Sequence, residues 1–298
     1  MRLDPSAAAT GVRLVTIDTV DSTNTEALAR ARAGERGPLW IAAARQTAGR
    51  GRRGRVWVSK PGNLYASLLL TEPSPPDRAA ELSFVAALAV HDAVAVLAPN
   101  LSHLPLAGGG EHWERLALKW PNDLLIDGKK FSGILIEGEG AAVVVGIGVN
   151  CAHHPADVVL PTIDLATAGA PVPLENLFAA LSAAMVRRLV QWNRSAGFDA
   201  TRADWLARAA GVGEPIRVML PEGERSGRFE TVDGRGRLIL RLADGTIETI
   251  TAGDVFALKS IHPPLQGEGR IAAGDSGRGH LTPLSARSAC RPPPYRGR

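Results

Sequence analysis

The chain of 298 residues is long enough for one large domain and a smaller one, and its 45% hydrophobic content excludes a largely disordered protein. Residues 261–298 carry six arginines and two acidic residues, which account for the whole net charge of +4. The rest of the chain is neutral, so the overall charge gives no support to a nucleic-acid-binding surface. Two cysteines predict no disulfide framework. Without a signal sequence or an uncharged apolar stretch of 18 residues, we expect a cytoplasmic protein with no membrane contact.

Strands and helices are predicted to mix in the first hundred residues. Thr23 and Glu26 have the spacing of a capping box, which predicts that a helix starts here. Apolar residues recur at helical spacing in 79–97, which predicts a helix packed on the core. We predict helices over 25–33 and 79–97, and strands over 12–20, 39–44, 56–58 and 64–70.

The next hundred residues follow a predicted glycine- and proline-rich loop at 98–113. The pair Asp127-Gly128 predicts a tight hairpin turn. Because strands and helices do not alternate strictly, the predicted fold class is α+β, a mixed sheet with flanking helices, rather than a doubly wound parallel sheet. The predicted strands are 116–120, 124–126, 133–137 and 143–149, and the predicted helices are 174–192 and 199–209.

The chain changes character after Gly211. Short strand-like segments follow, with Glu-Gly and Asp-Gly turns about every ten residues, which predicts a small β-barrel or sandwich. The last 38 residues hold six prolines and six glycines without periodicity, which predicts disorder. We therefore predict a domain at 1–211, an all-β domain at 212–260 with strands at 216–220, 226–232, 238–242 and 246–251, and a disordered tail at 261–298.

Residues 46–57 contain the densest set of chemical groups. Three glycines and four arginines occupy the seven positions 49–55. Glycine allows a backbone to approach a ligand closely, and exposed N–H groups in such a loop bind anions. Arginine adds planar, permanently charged donors that suit phosphate or carboxylate. The pattern predicts a phosphate-handling loop that is mobile until an anion arrives.

The spacing Gly49-x-Gly51-x-x-Gly54 also matches two unrelated fingerprints. The dinucleotide-binding fingerprint must open a helix, whereas a predicted strand follows here. A protein-kinase loop requires His-Arg-Asp and Asp-Phe-Gly further along the chain, and the sequence contains neither tripeptide. Both alternatives are therefore set aside in favour of a phosphate loop of another kind.

Five short motifs follow one another in a specific order. They are Asp-Ser-Thr-Asn at 21–24, Gln…Gly-Arg-Gly-Arg-Arg-Gly at 46–54, Lys-Trp-Pro-Asn-Asp at 119–123, Gly-Ile-Leu-x-Glu at 133–137 and Gly-Ile-Gly-x-Asn at 146–150. In this order they resemble the biotin protein ligases. The resemblance implies a class II synthetase-like catalytic domain and a C-terminal SH3-like barrel. It also implies an enzyme that makes biotinyl-5′-AMP from biotin and ATP and passes biotin to a lysine of a carrier protein, typically in acetyl-CoA carboxylase.

The resemblance also implies roles for individual residues. Lys119 and Arg52 are expected to be catalytic, because they face the carboxylate and the charge that develops at the α-phosphate. The two residues predicted for Mg²⁺, together with phosphates, are Asn122 and Asp123. Biotin contacts are expected from Ser22, Thr23, Asn24, Gln46, Gly49, Arg50, Gly51, Arg52, Lys119 and Gly133, and ATP contacts from Arg52, Arg53, Arg55, Trp57, Asn122, Lys130 and Asn150.

Two other functions remain open at this point. A lipoate ligase would share the fold and the adenylation chemistry, although the arginine loop and Lys-Trp-Pro-Asn-Asp favour biotin. A nucleic-acid-binding module would use the arginine loop, but aromatic residues do not interleave with the basic ones. Some family members carry an N-terminal repressor domain. Only 20 residues precede Asp21, so we expect a monofunctional enzyme, monomeric or homodimeric, that shows no specific DNA binding in a gel-shift assay.

Several neighbouring residues are expected to be structural rather than functional. Trp120 is interpreted as a core aromatic, and Cys151 as a small buried hydrophobe. Glu137 is interpreted as a strand residue with a structural partner. The adjacent pair His153-His154 is not expected to bind a metal, because neighbouring side chains rarely face the same ion.

Overall fold

The computed structural model describes residues 1–101, 115–156 and 160–257. The helices are α1 (Pro5–Ala8), α2 (Thr23–Arg32), α3 (Leu82–Leu97), α4 (Leu174–Trp192) and α5 (Phe198–Leu206). The strands are β1 (Arg13–Val20), β2 (Leu39–Gln46), β3 (Leu64–Thr71), β4 (Leu116–Lys119), β5 (Asp123–Ile126), β6 (Lys129–Glu139), β7 (Ala142–Val149), β8 (Pro215–Leu220), β9 (Gly223–Val232), β10 (Leu238–Arg241), β11 (Ile247–Ile250) and β12 (Asp254–Ala257).

A seven-stranded mixed sheet forms the larger layer, in the order β1-β2-β3-β7-β6-β5-β4. Strands β1 and β2 are parallel, and every other neighbouring pair is antiparallel. Strand β2 is buried on both faces, because Leu39 and Ile41 pack with α2 while Trp40 and Ala42 face the core shared with α3 and α4. The sheet therefore lies between helices, and the predicted α+β class is confirmed.

Helix α3 is the central core helix. The segment Pro76–Leu97 is long and apolar enough to cross a membrane by length and composition alone, yet 67% of its most apolar window is buried inside the protein. Its first six residues form a 3-10 helix, so the α-helix starts at Leu82 rather than at 79 as predicted. The apolar composition is explained by burial between the sheet and α4.

The second sheet is antiparallel, with the strand order β11-β10-β9-β8-β12. Its buried residues Val218 and Phe229 belong to the same apolar core as Phe84 of α3. The indole N–H of Trp120 donates to the carbonyl of Gly236 over 2.9 Å, and Trp120 is 1% exposed, which confirms it as a core aromatic. Residues Met1–Leu258 thus form one compact unit.

The predicted hairpin turn is confirmed, whereas the predicted helix cap and one predicted short strand are wrong. Asp127 and Gly128 have φ values of 49° and 73°, as the predicted tight hairpin requires. The capping box is wrong: α2 starts at Thr23, and Ser22 is the N-cap residue without a side-chain cap. Residues 56–58 are not a strand, because only an isolated bridge joins Val56 to Arg50.

Strand β12 (Asp254–Ala257) was not predicted, because four residues carry too little periodicity to be recognised. The predicted glycine-rich loop lies mostly, and the predicted disordered tail wholly, outside the described residues.

An ion pair joins the two core helices. Arg188 of α4 contacts the Asp92 carboxylate of α3 at 2.7 Å. Burial alone would raise the pKa of Asp92, but hydrogen bonds from His91 and Arg188 outweigh it and lower the pKa from 3.8 to about 2. Because this folded-state pKa lies below the unfolded value, the stabilisation is present above about pH 4 and is lost as the pH falls towards 2.

Asp92→Asn is expected to lower the free energy of unfolding by about 2 kcal/mol at pH 7. The effect should vanish near pH 2, where the wild-type carboxyl is protonated as well. Urea unfolding across this pH range measures it. Asp77→Asn is the matched control, because Asp77 forms an exposed pair with Arg235 and its loss should cost well under 1 kcal/mol. An equal loss at pH 2 and pH 7 would contradict the assigned cause.

Candidate functional site

A cavity of about 570 Å³ opens where the N-terminus of α2, strands β5 to β7 and the second sheet meet. Fourteen of the seventeen predicted site residues line it, and Gly49, Arg53 and Lys119 lie just outside the lining. The lining residues that were not predicted are Val56, Val58, Tyr65, Ile134, Leu135, Gly146, Ile147, Gly148, Pro155, Leu160, Thr162, Asp254 and Phe256.

One end of the cavity is polar and buried. Gln46 Oε1 accepts hydrogen bonds from the backbone N–H of Thr23 at 2.8 Å and from its hydroxyl at 3.0 Å. The Ser22 hydroxyl, by contrast, has no partner among the described residues and makes no cap bond. This end therefore offers a free hydroxyl beside a fixed amide, which suits a neutral polar ring that both donates and accepts.

Asn24 lines the cavity, and its amide is also bound by two protein side chains. Its amide nitrogen donates to Glu137 at 2.7 Å, and its amide oxygen accepts from Ser67 at 2.6 Å. A Cβ on Gly146 would lie 2.2 Å from that oxygen, so the glycine is required by the close approach of Asn24. Both ends of the amide are thus engaged by the protein, and Asn24 organises the cavity wall.

The arginine loop is held by its own backbone. Gly51 N–H donates to the carbonyl of Arg55, and Trp57 N–H donates to the carbonyl of Gly49. A Cβ on Gly49 would lie 2.6 Å from the Trp57 carbonyl oxygen, so this glycine is needed for the tight crossing. Arg53 has a left-handed φ of 56° at the tip.

Asp254 of the second sheet forms ion pairs with the tip of this loop. The Asp254 carboxylate lies 3.3 Å from the Arg53 guanidinium and also pairs with Arg55. Arg52 instead donates to Asn122 Oδ1 at 3.0 Å, and burial lowers the pKa of its guanidinium. Sequence reasoning missed Asp254 because it lies about 200 residues from the loop, in a strand too short to predict.

A buried carboxylate between two lysines forms the second cationic centre. Asp123 at the start of β5 lies 3.5 Å from the Lys119 ammonium and 2.6 Å from that of Lys130. Burial alone would raise the pKa of Asp123, but Lys130 and Lys119 hold it below its usual value. Burial lowers the pKa of Lys119. Asp123 therefore fixes the Lys130 ammonium in the cavity lining and the Lys119 ammonium beside it.

The residues predicted for Mg²⁺ do not fit a protein-held metal. The Asn122 oxygen already accepts from Arg52, and the Asp123 carboxylate is shared by two lysines. Asp254, the other acidic residue in the lining, is paired with arginines. Within the described ranges, no group of three or more His, Cys, Asp or Glu side chains is arranged so that it could hold a metal ion. The arrangement favours binding of an anion.

Trp57 lies flat against two neighbouring strands. A Cβ on Gly148 would lie 2.6 Å from the indole, and one on Gly133 would lie 3.1 Å from it. These two glycines are register partners on β7 and β6, so together they form a flat seat for the ring. The indole N–H is buried and meets no acceptor in the described part of the chain. Lys130 lies 5.5 Å from the ring centroid.

Residues that follow β7 also line the cavity. Asn150 comes directly after β7 and donates to the carbonyl of Ile163 at 3.2 Å, which ties the two chain segments together. Pro155, Leu160 and Thr162, which were not predicted, add to the lining. Asn150 is 3% exposed, so its amide is fixed rather than mobile.

Comparison with known proteins agrees with this arrangement. Residues 16–152 match the Biotin/lipoate A/B protein ligase family, and residues 211–258 match the Biotin protein ligase C terminal domain. A biotin–[acetyl-CoA-carboxylase] ligase of Paracoccus denitrificans is 42% identical over 247 residues, which cover 79% of this chain and 97% of that protein. The chain belongs to the biotin protein ligase family. The corresponding ligase of Mycobacterium tuberculosis is 36% identical and matches over 80% of this chain and 86% of its own length.

A solved biotin protein ligase has the same architecture. The enzyme from Aquifex aeolicus, determined in complex with biotin and ATP, superposes with a TM-score of 0.66 at 25% identity and covers 83% of this chain and 99% of its own. The first family match includes the loop and the lysines, and the second includes Asp254 and Phe256. Residues from both matched regions, 16–152 and 211–258, therefore line one cavity.

Proposed function

We propose that this family member is an ATP-dependent biotin ligase. It joins biotin and ATP to give biotinyl-5′-AMP and pyrophosphate, then transfers the biotinyl group to one lysine of a biotin carboxyl carrier protein or domain of acetyl-CoA carboxylase. The observation that carries the proposal is one cavity that joins a polar buried end, the Asp123–Lys130 pair and an arginine loop, with Lys119 held beside it by the same carboxylate. We further propose that the enzyme is cytoplasmic and binds neither nucleic acid nor membrane.

Biotin is proposed to bind with its ureido ring at the polar end. The free Ser22 hydroxyl and the fixed Gln46 side chain match a ring that donates and accepts hydrogen bonds. Leu135 and Ile147 add apolar surface to the cavity lining, against which the aliphatic chain would lie. The carboxylate would then reach Lys119 and Arg52, which carry the positive charge that it requires.

ATP is proposed to lie between Trp57 and the loop. The indole provides a flat face for adenine, and Asn150 borders the same region. Arg53 and Arg55 would exchange their contact with Asp254 for the phosphate oxygens. Magnesium would arrive bound to the phosphates of ATP, since the acidic residues of the lining are already paired with cations.

The proposed first step forms a bond between a biotin carboxylate oxygen and the α-phosphorus while the bond to pyrophosphate breaks. Lys119 and Lys130 stabilise the negative charge that develops at the α-phosphate, and fixed charges of this kind are effective because they need no rearrangement. In the second step the carrier lysine, as a free amine, attacks the acyl carbon and AMP leaves. No nucleophile of the enzyme is required, and the loop excludes water from the adenylate.

The test is to incubate the protein with biotin, ATP and Mg²⁺ and to detect biotinyl-AMP by mass spectrometry. Labelled pyrophosphate exchange should be supported by biotin and not by lipoate. Exchange that lipoate supports and biotin does not would replace the proposal by the lipoate ligase alternative. Failure of both acids would reject adenylation at this site.

The close contact of Gly133 and Gly148 with the Trp57 indole leads to a further expected result. Gly148→Ala should push the indole out of place and raise the KM for ATP about tenfold, because a methyl group forced into a filled contact typically costs a few kcal/mol or less. Biotin affinity should change far less. Gly138→Ala on β6 is the matched control, since its Cβ would meet nothing closer than 3.6 Å. Steady-state kinetics with each substrate varied measures both effects, and an unchanged KM for ATP would contradict the proposed adenine contact.

A further inference from the structure

Glu137 is a carboxylate that the proposed reaction does not use. It lies on β6 outside the cavity lining, and its side chain is 29% exposed. Its two oxygens nevertheless contact two residues that do line the cavity, Asn24 at 2.7 Å and Arg50 at 3.3 Å. Glu137 is a strand residue with structural partners, as expected, and the identity of these partners indicates a more specific role.

The contact to Asn24 joins Glu137 to the polar end of the cavity. Ser67, which is fully buried, lies within hydrogen-bond distance of both Asn24 and Thr23. The Thr23 backbone N–H in turn donates to Gln46 at 2.8 Å. A continuous chain of buried polar groups therefore runs from Glu137 to the groups proposed to bind the ureido ring, and each group in such a chain restricts the orientation of the next.

The contact to Arg50 joins Glu137 to the start of the arginine loop. The Arg50 guanidinium also donates to the Thr25 hydroxyl at 3.0 Å, so it is held between α2 and β6. The other end of the loop is tied to the same polar chain, because Gln46 donates to Ser59 and Ser59 donates to the Trp57 carbonyl. Both ends of the loop are thus connected through one set of side chains beneath the cavity.

We infer that Glu137 is a positioning residue that couples biotin binding to closure of the arginine loop. One of its carboxylate oxygens accepts a hydrogen bond from Asn24, and both oxygens accept from the Arg50 guanidinium. The inference rests on the proposed function, which supplies biotin and its adenylate as ligands. Glu137 touches neither of them. Its loss should loosen the loop over the occupied cavity without removing any group that takes part in bond formation.

The test uses Glu137→Gln, which can still accept a hydrogen bond from Asn24 but loses the charge that attracts Arg50. The biotin KM should rise about fivefold, because loss of a partly exposed ion pair typically has an effect of this size. The kcat for pyrophosphate exchange should change less than twofold. The half-life of enzyme-bound biotinyl-AMP should shorten by a similar factor. Arg50→Gln should also raise the biotin KM and shorten the half-life of the bound adenylate, and the double variant should equal Arg50→Gln alone.

Glu139→Gln is the matched control. Glu139 lies two residues along the same strand and pairs with Arg32 at 2.7 Å, outside the loop, so this variant should behave as wild type. If Glu137→Gln matched Glu139→Gln in biotin KM and adenylate retention, or if its effect multiplied with that of Arg50→Gln, the inference would be overturned. Should Glu137→Gln fail to fold, an Arg50→Gln variant with unchanged biotin KM and retention would overturn it equally.

Trypsin provides a measurement that needs no substrate. Cleavage after Arg50 in the protein alone should be several-fold faster in Glu137→Gln than in wild type or Glu139→Gln, and equal rates would overturn the inference. Failure of wild type to form biotinyl-AMP would count against the proposed function, whereas the proteolysis result would still decide whether Glu137 holds the loop.

Discussion

Lys119→Met is expected to lower the rate of biotinyl-AMP formation by about 10²–10³-fold, the usual cost of removing one fixed charge from a developing anion. The protein should still fold, because Asp123 keeps Lys130 as a partner at 2.6 Å. Pre-steady-state measurement of pyrophosphate release gives the chemical step directly. Thermal unfolding of the same sample separates lost chemistry from lost structure.

Lys129→Met serves as the control for this result. Lys129 lies on β6 beside Lys130, but it is exposed and has no ion pair with Asp123 such as Lys119 has, so its replacement should leave the rate within about twofold of wild type. If Lys119→Met released pyrophosphate at the wild-type rate, the role proposed for this ammonium group would be lost. The charge at the α-phosphate would then have to be stabilised by Lys130 and the loop.

Asp123→Ala is expected to affect stability as well as activity. Removal of the carboxylate leaves two largely buried ammonium groups, Lys119 and Lys130, without their anion, and such a change typically costs about 3–5 kcal/mol. The pKa of Asp123 is held low by these lysines, so the loss applies at neutral pH and disappears as the pH falls through that low value.

Urea unfolding at pH 7 measures this loss. Asp127→Ala is the control, because Asp127 pairs with Arg115 in an exposed contact at 3.0 Å and should cost less than about 1 kcal/mol. Partial recovery in the triple variant Asp123→Ala, Lys119→Met, Lys130→Met would support unpaired charge as the cause. A wild-type free energy of unfolding in Asp123→Ala would show that the carboxylate has no structural role.

The sequence predicted most of the chemistry in the first 150 residues because the relevant groups lie in short, ordered motifs. Asp-Ser-Thr-Asn, the arginine loop and Lys-Trp-Pro-Asn-Asp all contribute side chains to the cavity. The α+β class and the hairpin at Asp127 followed from periodicity and turn chemistry. Such features are local, so a single sequence contains them.

Partners chosen by tertiary contact could not be predicted in the same way. The motif predicts Asn24 near the ligand, but it does not show that Ser67 of β3 and Glu137 of β6 bind its amide. The motif Gly-Ile-Gly does not show that its two glycines, Gly146 and Gly148, accommodate the side chains of Asn24 and Trp57. Nothing in the spacing of a motif indicates which residue from elsewhere fills the space that it leaves.

Strand β12 completes the cavity with Asp254 and Phe256, although it is the last strand of the described chain. During synthesis the motifs that bear the lysines and the loop leave the ribosome more than a hundred residues earlier. The nascent polypeptide therefore cannot close a competent site until translation has passed residue 257. A chain released prematurely before that point would retain the recognition groups but lack the anchor for Arg53 and Arg55.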